Sequence, residues 1–310
     1  MLLNLSGPHG PTPSISTSCE YRPKVSVARW SELFAFVAML CVVCGGFQTL
    51  EAQASDGQIS VTIPDALVDS HPYGIVTRPG SSLGYCAIAG DVTPFGEATE
   101  DYANFVIAEL DLHSLTVQRT FQVGYFPTEM VILNEQLFAT CSNDSNLYRI
   151  DLDPGTVTAF PMTDSVGGNV TFLSGLTIAP GGKVVVGSNG GNFDGSDENV
   201  LIFDPVTESI IDRFVVAGAI TRLMVEGNEL VIPVGYPDND FTAAPAVYWV
   251  DLSTGLQTGS VNLAVDTADF PSPSDIQRLQ DGTALVSVFG GSDEVFQINL
   301  SQKSLAGTFA

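Results

Sequence analysis

The chain has 310 residues, and its 11 Lys and Arg against 35 Asp and Glu give a formal net charge of −24. A field of that sign repels nucleic acid and anionic lipid, which excludes nucleic acid as a partner. Hydrophobic residues make up 45% of the sequence, a proportion that suits a folded core rather than an acidic disordered tail.

Taken in chain order, the first element is an expected leader. Arg22, Lys24 and Arg29 precede an apolar stretch over residues 33–47, and Ala52, Gln53 and Ala54 offer a small-x-small cleavage site before Ser55. The apolar stretch is shorter than the roughly 20 residues a spanning helix needs. Residues 1–54 are therefore read as a signal peptide with an extended N-terminal region. Export to the periplasm, the cell surface or the medium follows, with no integral membrane domain after cleavage. Of the five cysteines, Cys19, Cys41 and Cys44 leave with the leader. Cys86 and Cys141 remain, expected to pack as small apolar residues rather than to pair. Eight of the 11 basic and 32 of the 35 acidic residues follow Ala54, so the acidity belongs to the mature part.

Residues 55–310 are read as one domain built from a repeat. Ile59, Val61 and Ile63 alternate as a first strand. Five modules follow, each with four short strand signals separated by turn residues and no useful helical periodicity. First strands are expected over 74–78, 129–133, 175–179, 222–226 and 275–279. Turns rich in Gly, Pro, Asn and Asp follow, at 79–80, 134–135, 180–182, 226–228 and 281–282. Second strands over 83–89, 137–141, 184–187, 230–234 and 284–289 carry the densest apolar content.

The third and fourth strands form a recurring phrase: an apolar run closed by Asp111, Asp151, Asp204, Asp251 or Asn299, then a polar turn and a second run. These residues are spaced by 40, 53, 47 and 48 positions. Six positions on stand Val117, Val157, Ile210, Gln257 and Leu305. Ten positions on stand Phe121, Phe214, Val261 and Phe309, whereas the Asp151 copy slips by one and places Phe160 at +9. A repeat of this period, with its turn chemistry in phase, predicts an all-β fold: a β-propeller of four-stranded blades, five blades, with six as the alternative. Residues 59–63 would supply an outer closing strand, yet 305–310 already supplies one. Either one strand is redundant or another chain completes the ring.

The phrases His71-Pro-Tyr-Gly-Ile-Val76, Pro79-Gly80 and Asn146-Leu-Tyr-Arg-Ile-Asp-Leu-Asp-Pro-Gly-Thr156 resemble the YVTN-type propeller repeats of bacterial surface proteins. The resemblance runs through residues 58–310. It departs from the family in blade number, since such rings commonly have seven. The family's signature is degraded here to Ala139-Thr-Cys-Ser-Asn143 and Val186-Gly-Ser-Asn189. The wider group holds lactonases, surface-layer modules and quinoprotein subunits, so the resemblance implies a fold and no single activity.

Two places could carry function. Loops between second and third strands are acidic and unequal, with Asp91, Glu97, Glu100 and Asp101, then Asp144, then Asp194, Asp197 and Glu198, then Asp238 and Asp240, then Asp293 and Glu294. Hard cations such as Ca²⁺ prefer such oxygens, and Asn192, Asp194, Asp197 and Glu198 are the candidate metal ligands, although the EF-hand pattern fails there. The second place is the channel mouth. One register holds Tyr73, Thr128, Ser174, Thr221 and Ser274, and the next holds Gly74, Glu129, Gly175, Arg222 and Asp275. His71, Tyr73, Glu129, Arg222 and Asp275 are the candidate ligand-binding residues.

Nucleophilic catalysis finds little support, since Gly80-Ser-Ser-Leu-Gly84 lies in a hairpin rather than a strand-turn-helix. No haem, P-loop or dinucleotide fingerprint appears. The leading expectation is an exported, non-catalytic module binding a protein, glycan or cation through its acidic loop face. The alternative is a metal-assisted hydrolase or isomerase, similar to propeller lactonases, using Glu129 and Asp275 at the channel mouth.

Overall fold

A computed structural model of the chain describes residues 72–89, 105–189, 198–236, 244–263, 271–290 and 294–309, all within one compact unit. They form five antiparallel sheets, each made of consecutive strands. Blade one is β1 (Pro72–Thr77), β2 (Leu83–Ala89), β3 (Phe105–Asp111) and β4 (Thr116–Gln122). Blade two is β5 (Pro127–Leu133), β6 (Gln136–Cys141), β7 (Asn146–Asp151) and β8 (Thr156–Pro161). Blade three is β9 (Leu173–Ala179), β10 (Lys183–Ser188), β11 (Val200–Asp204) and β12 (Ser209–Phe214). Blade four splits its first strand into β13 (Ala219–Ile220) and β14 (Met224–Glu226), followed by β15 (Glu229–Gly235), β16 (Ala246–Asp251) and β17 (Gln257–Asn262). Blade five is β18 (Ser272–Arg278), β19 (Thr283–Phe289), β20 (Val295–Asn299) and β21 (Ser304–Phe309).

First strands meet first strands of neighbouring blades, which places them innermost, and the protein is a five-bladed β-propeller. Second and third strands with a blade on each side are buried on both faces rather than alternating, as β6, β10, β11, β15 and β16 are. All five residues of β11 are buried. The outer strands alternate instead, as β4 shows.

Four apolar clusters join the blades. Tyr85, Ile107 and Phe121 meet Met130, Leu137 and Ile150 between blades one and two. Phe138, Leu147 and Phe160 meet Leu176, Val184 and Phe203 between two and three. Val185, Val200 and Ile202 meet Ile232, Tyr248 and Val250 between three and four. Val231 and Trp249 meet Val286, Phe296 and Ile298 between four and five. Among the described residues no cluster joins blade five to blade one. Blade one's far face forms its own cluster of Ile88, Val106, Ala108 and Leu110, while Phe289 and Phe309 of blade five are 75% and 54% exposed. The N-terminal strand expected at Ile59, Val61 and Ile63 lies outside the described residues. Cys86 and Cys141 are free thiols, and burial raises the pKa of both, Cys86 to about 12.

The recurring Asp or Asn closes each third strand and organises the turn after it. Asp111 accepts hydrogen bonds from the amides of His113 and Ser114, Asp204 from that of Val206, Asp251 from those of Ser253 and Thr254, and Asn299 from that of Gln302. Four residues after it the backbone is left-handed in every copy, at Leu115, Gly155, Glu208, Gly255 and Lys303. The turn thus has one conformation, and glycine fills it in only two copies.

The slip in the Asp151 copy has a structural cause. In blades one, three, four and five the pairing of the third and fourth strands shifts by one residue, at Glu109/Leu110, Ile202/Phe203, Trp249/Val250 and Gln297/Ile298. These are β-bulges, in which one extra residue sits on the outer strand. β7 and β8 pair without a shift from Asp151–Thr156 to Asn146–Pro161, so the next apolar contact falls one residue sooner, at Phe160.

Asp111, Asp204 and Asp251 are held below the ordinary aspartate value, chiefly by the Ser114 amide, the Lys183 ammonium and the Ser253 hydroxyl respectively. A depressed folded-state pKa contributes stability above the unfolded value, and that contribution is lost as pH falls through the folded one. Urea stability should therefore drop as pH falls below about 4, and Asp251→Asn should make the drop shallower. An unchanged acid slope in the variant contradicts the assignment.

Candidate functional site

The inner strands begin at the end of the blade where second strands run into third strands, because Pro72 pairs with Ile88 and Ser272 with Phe289. Near that start each inner strand breaks register. The break lies at Pro72/Gly74, Pro127/Met130, Leu173/Gly175 and Pro273/Asp275, and in blade four it is the gap between β13 and β14. A bulge re-aims the side chains beside it. Tyr73, Thr128, Ser174, Thr221 and Ser274 stand at these breaks, and Gly74, Glu129, Gly175, Arg222 and Asp275 directly follow.

The first of the two registers is used to join blades. Thr128 Oγ1 donates to the Leu173 carbonyl at 3.4 Å, Ser174 Oγ to the Ile220 carbonyl, and Thr221 Oγ1 to the Pro273 carbonyl at 2.8 Å. Each acceptor is the residue just before the next blade's hydroxyl, so the bonds link blades two, three, four and five in turn. Ser274 instead pairs with the Ser287 hydroxyl at 2.8 Å within its own blade. Tyr73, which has no short hydroxyl, lies against Phe126 in a T-shaped contact with centroids 5.4 Å apart, and is 46% exposed.

The second register brings three charges together. Arg222 of blade four pairs with Glu129 of blade two through Nη1, and its Nε lies 3.6 Å from Asp275 Oδ1 of blade five. Between blades two and four stands Gly175, which has no side chain to part them. A Cβ there would come within 2.8 Å of Leu223 Cγ. Burial pulls the Arg222 pKa down, with Asp275 and Tyr73 opposing, and the guanidinium stays charged at all working pH values. Burial pushes the Asp275 carboxyl above the ordinary value, opposed by Arg222 and by the Ile276 amide 2.9 Å away. The group as a whole carries one more negative than positive charge.

Of the candidate ligand-binding residues, Glu129, Arg222 and Asp275 therefore converge, and Tyr73 contributes to the field at Arg222. His71 lies outside the described residues, as do Asn192, Asp194, Asp197 and the acidic side chains at 91, 97, 100, 101, 238, 240 and 293. Glu198 is described, and its Oε2 accepts the Ser165 amide at 2.6 Å. Asp144 accepts the Tyr148 hydroxyl at 2.5 Å and the Asn146 amide at 3.1 Å, a tie between a turn and the strand after it. No group of three metal-ligating side chains is present among the described residues. No described helix is long and apolar enough to cross a membrane. The role of Gly175 as a spacer and of Phe126 as the support of Tyr73 carries no signal in the repeat.

No protein-family model matches the chain, and no curated protein matches it. Solved structures do. A chain of the "Crystal Structure of Mitotic Checkpoint Complex" matches with a TM-score of 0.57 at 12% identity, covering 84% of this chain and 69% of that one. "Kuenenia stuttgartiensis Hydrazine Synthase" matches with a TM-score of 0.59 at 12% identity, covering 80% of this chain and 66% of that one. Both are propeller-type folds, and at this identity the likeness shows the fold alone.

Removing the guanidinium tests the cluster. Arg222→Met leaves two half-buried carboxylates without their cation, which raises their folded-state pKa values. Stability should then be lowest at neutral pH and recover as pH falls toward the carboxylate range, opposite in sign to the acid loss described above. A variant that loses stability equally at pH 5 and pH 8 contradicts the ion cluster.

Proposed function

We propose that the protein is an exported, non-catalytic binding module whose channel mouth takes a ligand. The observation that carries this reading is the convergence of Glu129, Arg222 and Asp275 from three blades at a register where equivalent residues differ. The cluster's excess negative charge, in a chain of net charge −24, favours a ligand rich in hydrogen-bond donors or positively charged and disfavours anions. A glycan presented beside the exposed Tyr73 ring meets both requirements. The YVTN-type resemblance to bacterial surface proteins is in keeping with such a role.

Metal-assisted hydrolysis using Glu129 and Asp275 is the weaker reading. Both carboxylates already face the Arg222 guanidinium, whose positive charge opposes a divalent ion between them.

A glycan array followed by calorimetry on the mature chain tests the main reading. Binding should weaken by at least about tenfold in Glu129→Gln and Asp275→Asn, with catalytic turnover of the bound glycan absent. Binding that neither variant changes, or hydrolysis of a sugar lactone that Asp275→Asn abolishes, contradicts it. Export is checked by mass spectrometry of the exported protein: an N-terminus at Ser55 is expected, and an uncleaved leader overturns the assignment.

A further inference from the structure

The sheets of a propeller splay apart toward the rim, and side chains must fill the widening clefts. Three clefts between described neighbours are filled by side chains lying close over a glycine. Between blades one and two, Arg119 and Phe121 lie over Gly155, where a Cβ would fall 2.9 Å from Arg119 Nη1. Between three and four, Phe214 lies over Gly255, with a Cβ 2.9 Å from Phe214 Cβ. Between four and five, Lys303 lies over Gly259 and bonds Glu229 at 2.6 Å.

The cleft between blades two and three is different. Here the outer strand is β8, the one without a bulge, and the left-handed turn residue facing it is Glu208, where the clefts between one and two and between three and four have glycine. Glu208 turns to Arg149 at 2.6 Å. A cavity of about 290 Å³ remains, with Phe160, Met162, Phe203 and Ile210 among its lining and Arg213 at its rim. The Phe160 and Phe203 rings are tilted at 46° with centroids 4.9 Å apart. The space is large enough to admit an aromatic side chain.

Arg213 supplies the second half of the argument. Eight basic residues follow Ala54, and seven of them form ion pairs: Arg78, Arg119, Arg149, Lys183, Arg222, Arg278 and Lys303. Arg213 alone has no carboxylate partner among the described residues. Its Nε donates to the Thr163 carbonyl at 2.8 Å across the cleft, which fixes the guanidinium plane at the rim. A guanidinium held through Nε, with its terminal nitrogens unclaimed among the described residues, is set up to take a carboxylate.

We propose that this cleft docks a peptide segment of a partner protein that presents an aromatic side chain beside a carboxylate. The ring enters between Phe160 and Ile210, and the carboxylate pairs with Arg213. The surface is on the rim and independent of the channel mouth, so it stands whether or not that site binds a glycan.

The test uses the mature chain with ¹³C-labelled Met and Ile methyl groups, titrated with 3-phenylpropionate and separately with 3-phenylpropanol. Saturable shifts at the Met162 and Ile210 methyls are expected for the acid, with affinity about tenfold above that of the alcohol. Arg213→Gln should remove the difference between the two probes, and Arg213→Lys should keep part of it. Absence of shifts at Met162 and Ile210 with the acid overturns the proposal. Equal affinity for acid and alcohol in the unaltered protein overturns it as well, whatever the variants do.

Discussion

A four-stranded sheet with two apolar faces cannot exist alone in water, and the rest of this molecule follows from that constraint. Each blade must bury both faces of its second and third strands, at roughly 25 cal/mol per Å² of apolar surface removed from water. Stacking blade on blade is the solution, and the clusters between successive blades are its outcome. The same constraint fixes what can vary. Residues at the blade interfaces repeat in kind, whereas the inner-strand starts, the loops and the rim are free to differ. Both sites argued for above lie at such places.

The strand arrangement was legible in the sequence because two-sided burial writes continuous apolar runs, and tight turns write Gly, Pro, Asn and Asp at fixed intervals. Even the one-residue slip after Asp151 proved to be structural, the missing bulge between β7 and β8. Alignment of the first strands also put Glu129, Arg222 and Asp275 in one register. Their meeting was not legible. It depends on Arg222 reaching past Gly175 from blade four to blade two, a distance set by ring geometry and not by any local pattern. The hydroxyl register looked like a channel lining and is instead a belt between blades, since a hydroxyl carries the same letter whether it faces water or a neighbour's carbonyl. Arg213 gave no signal at all, because only a full set of ion pairs shows which cation is left over.

The two sites differ in how they use charge. At the channel mouth a cation is surrounded by carboxylates from other blades, so its charge is already answered and the excess is negative. At the rim a cation is held by a neutral carbonyl and its charge is unanswered. In a chain so acidic, the first arrangement leaves a local negative excess and the second a local positive charge.

The central claim is that Arg222, Glu129 and Asp275, drawn from three blades, form one half-buried ion cluster. NMR titration of the Asp275 side-chain carboxyl, in the unaltered protein and in Arg222→Lys, tests it most directly. The account predicts a midpoint above the ordinary aspartate value that moves when the guanidinium is replaced. An ordinary midpoint that ignores the replacement would contradict it.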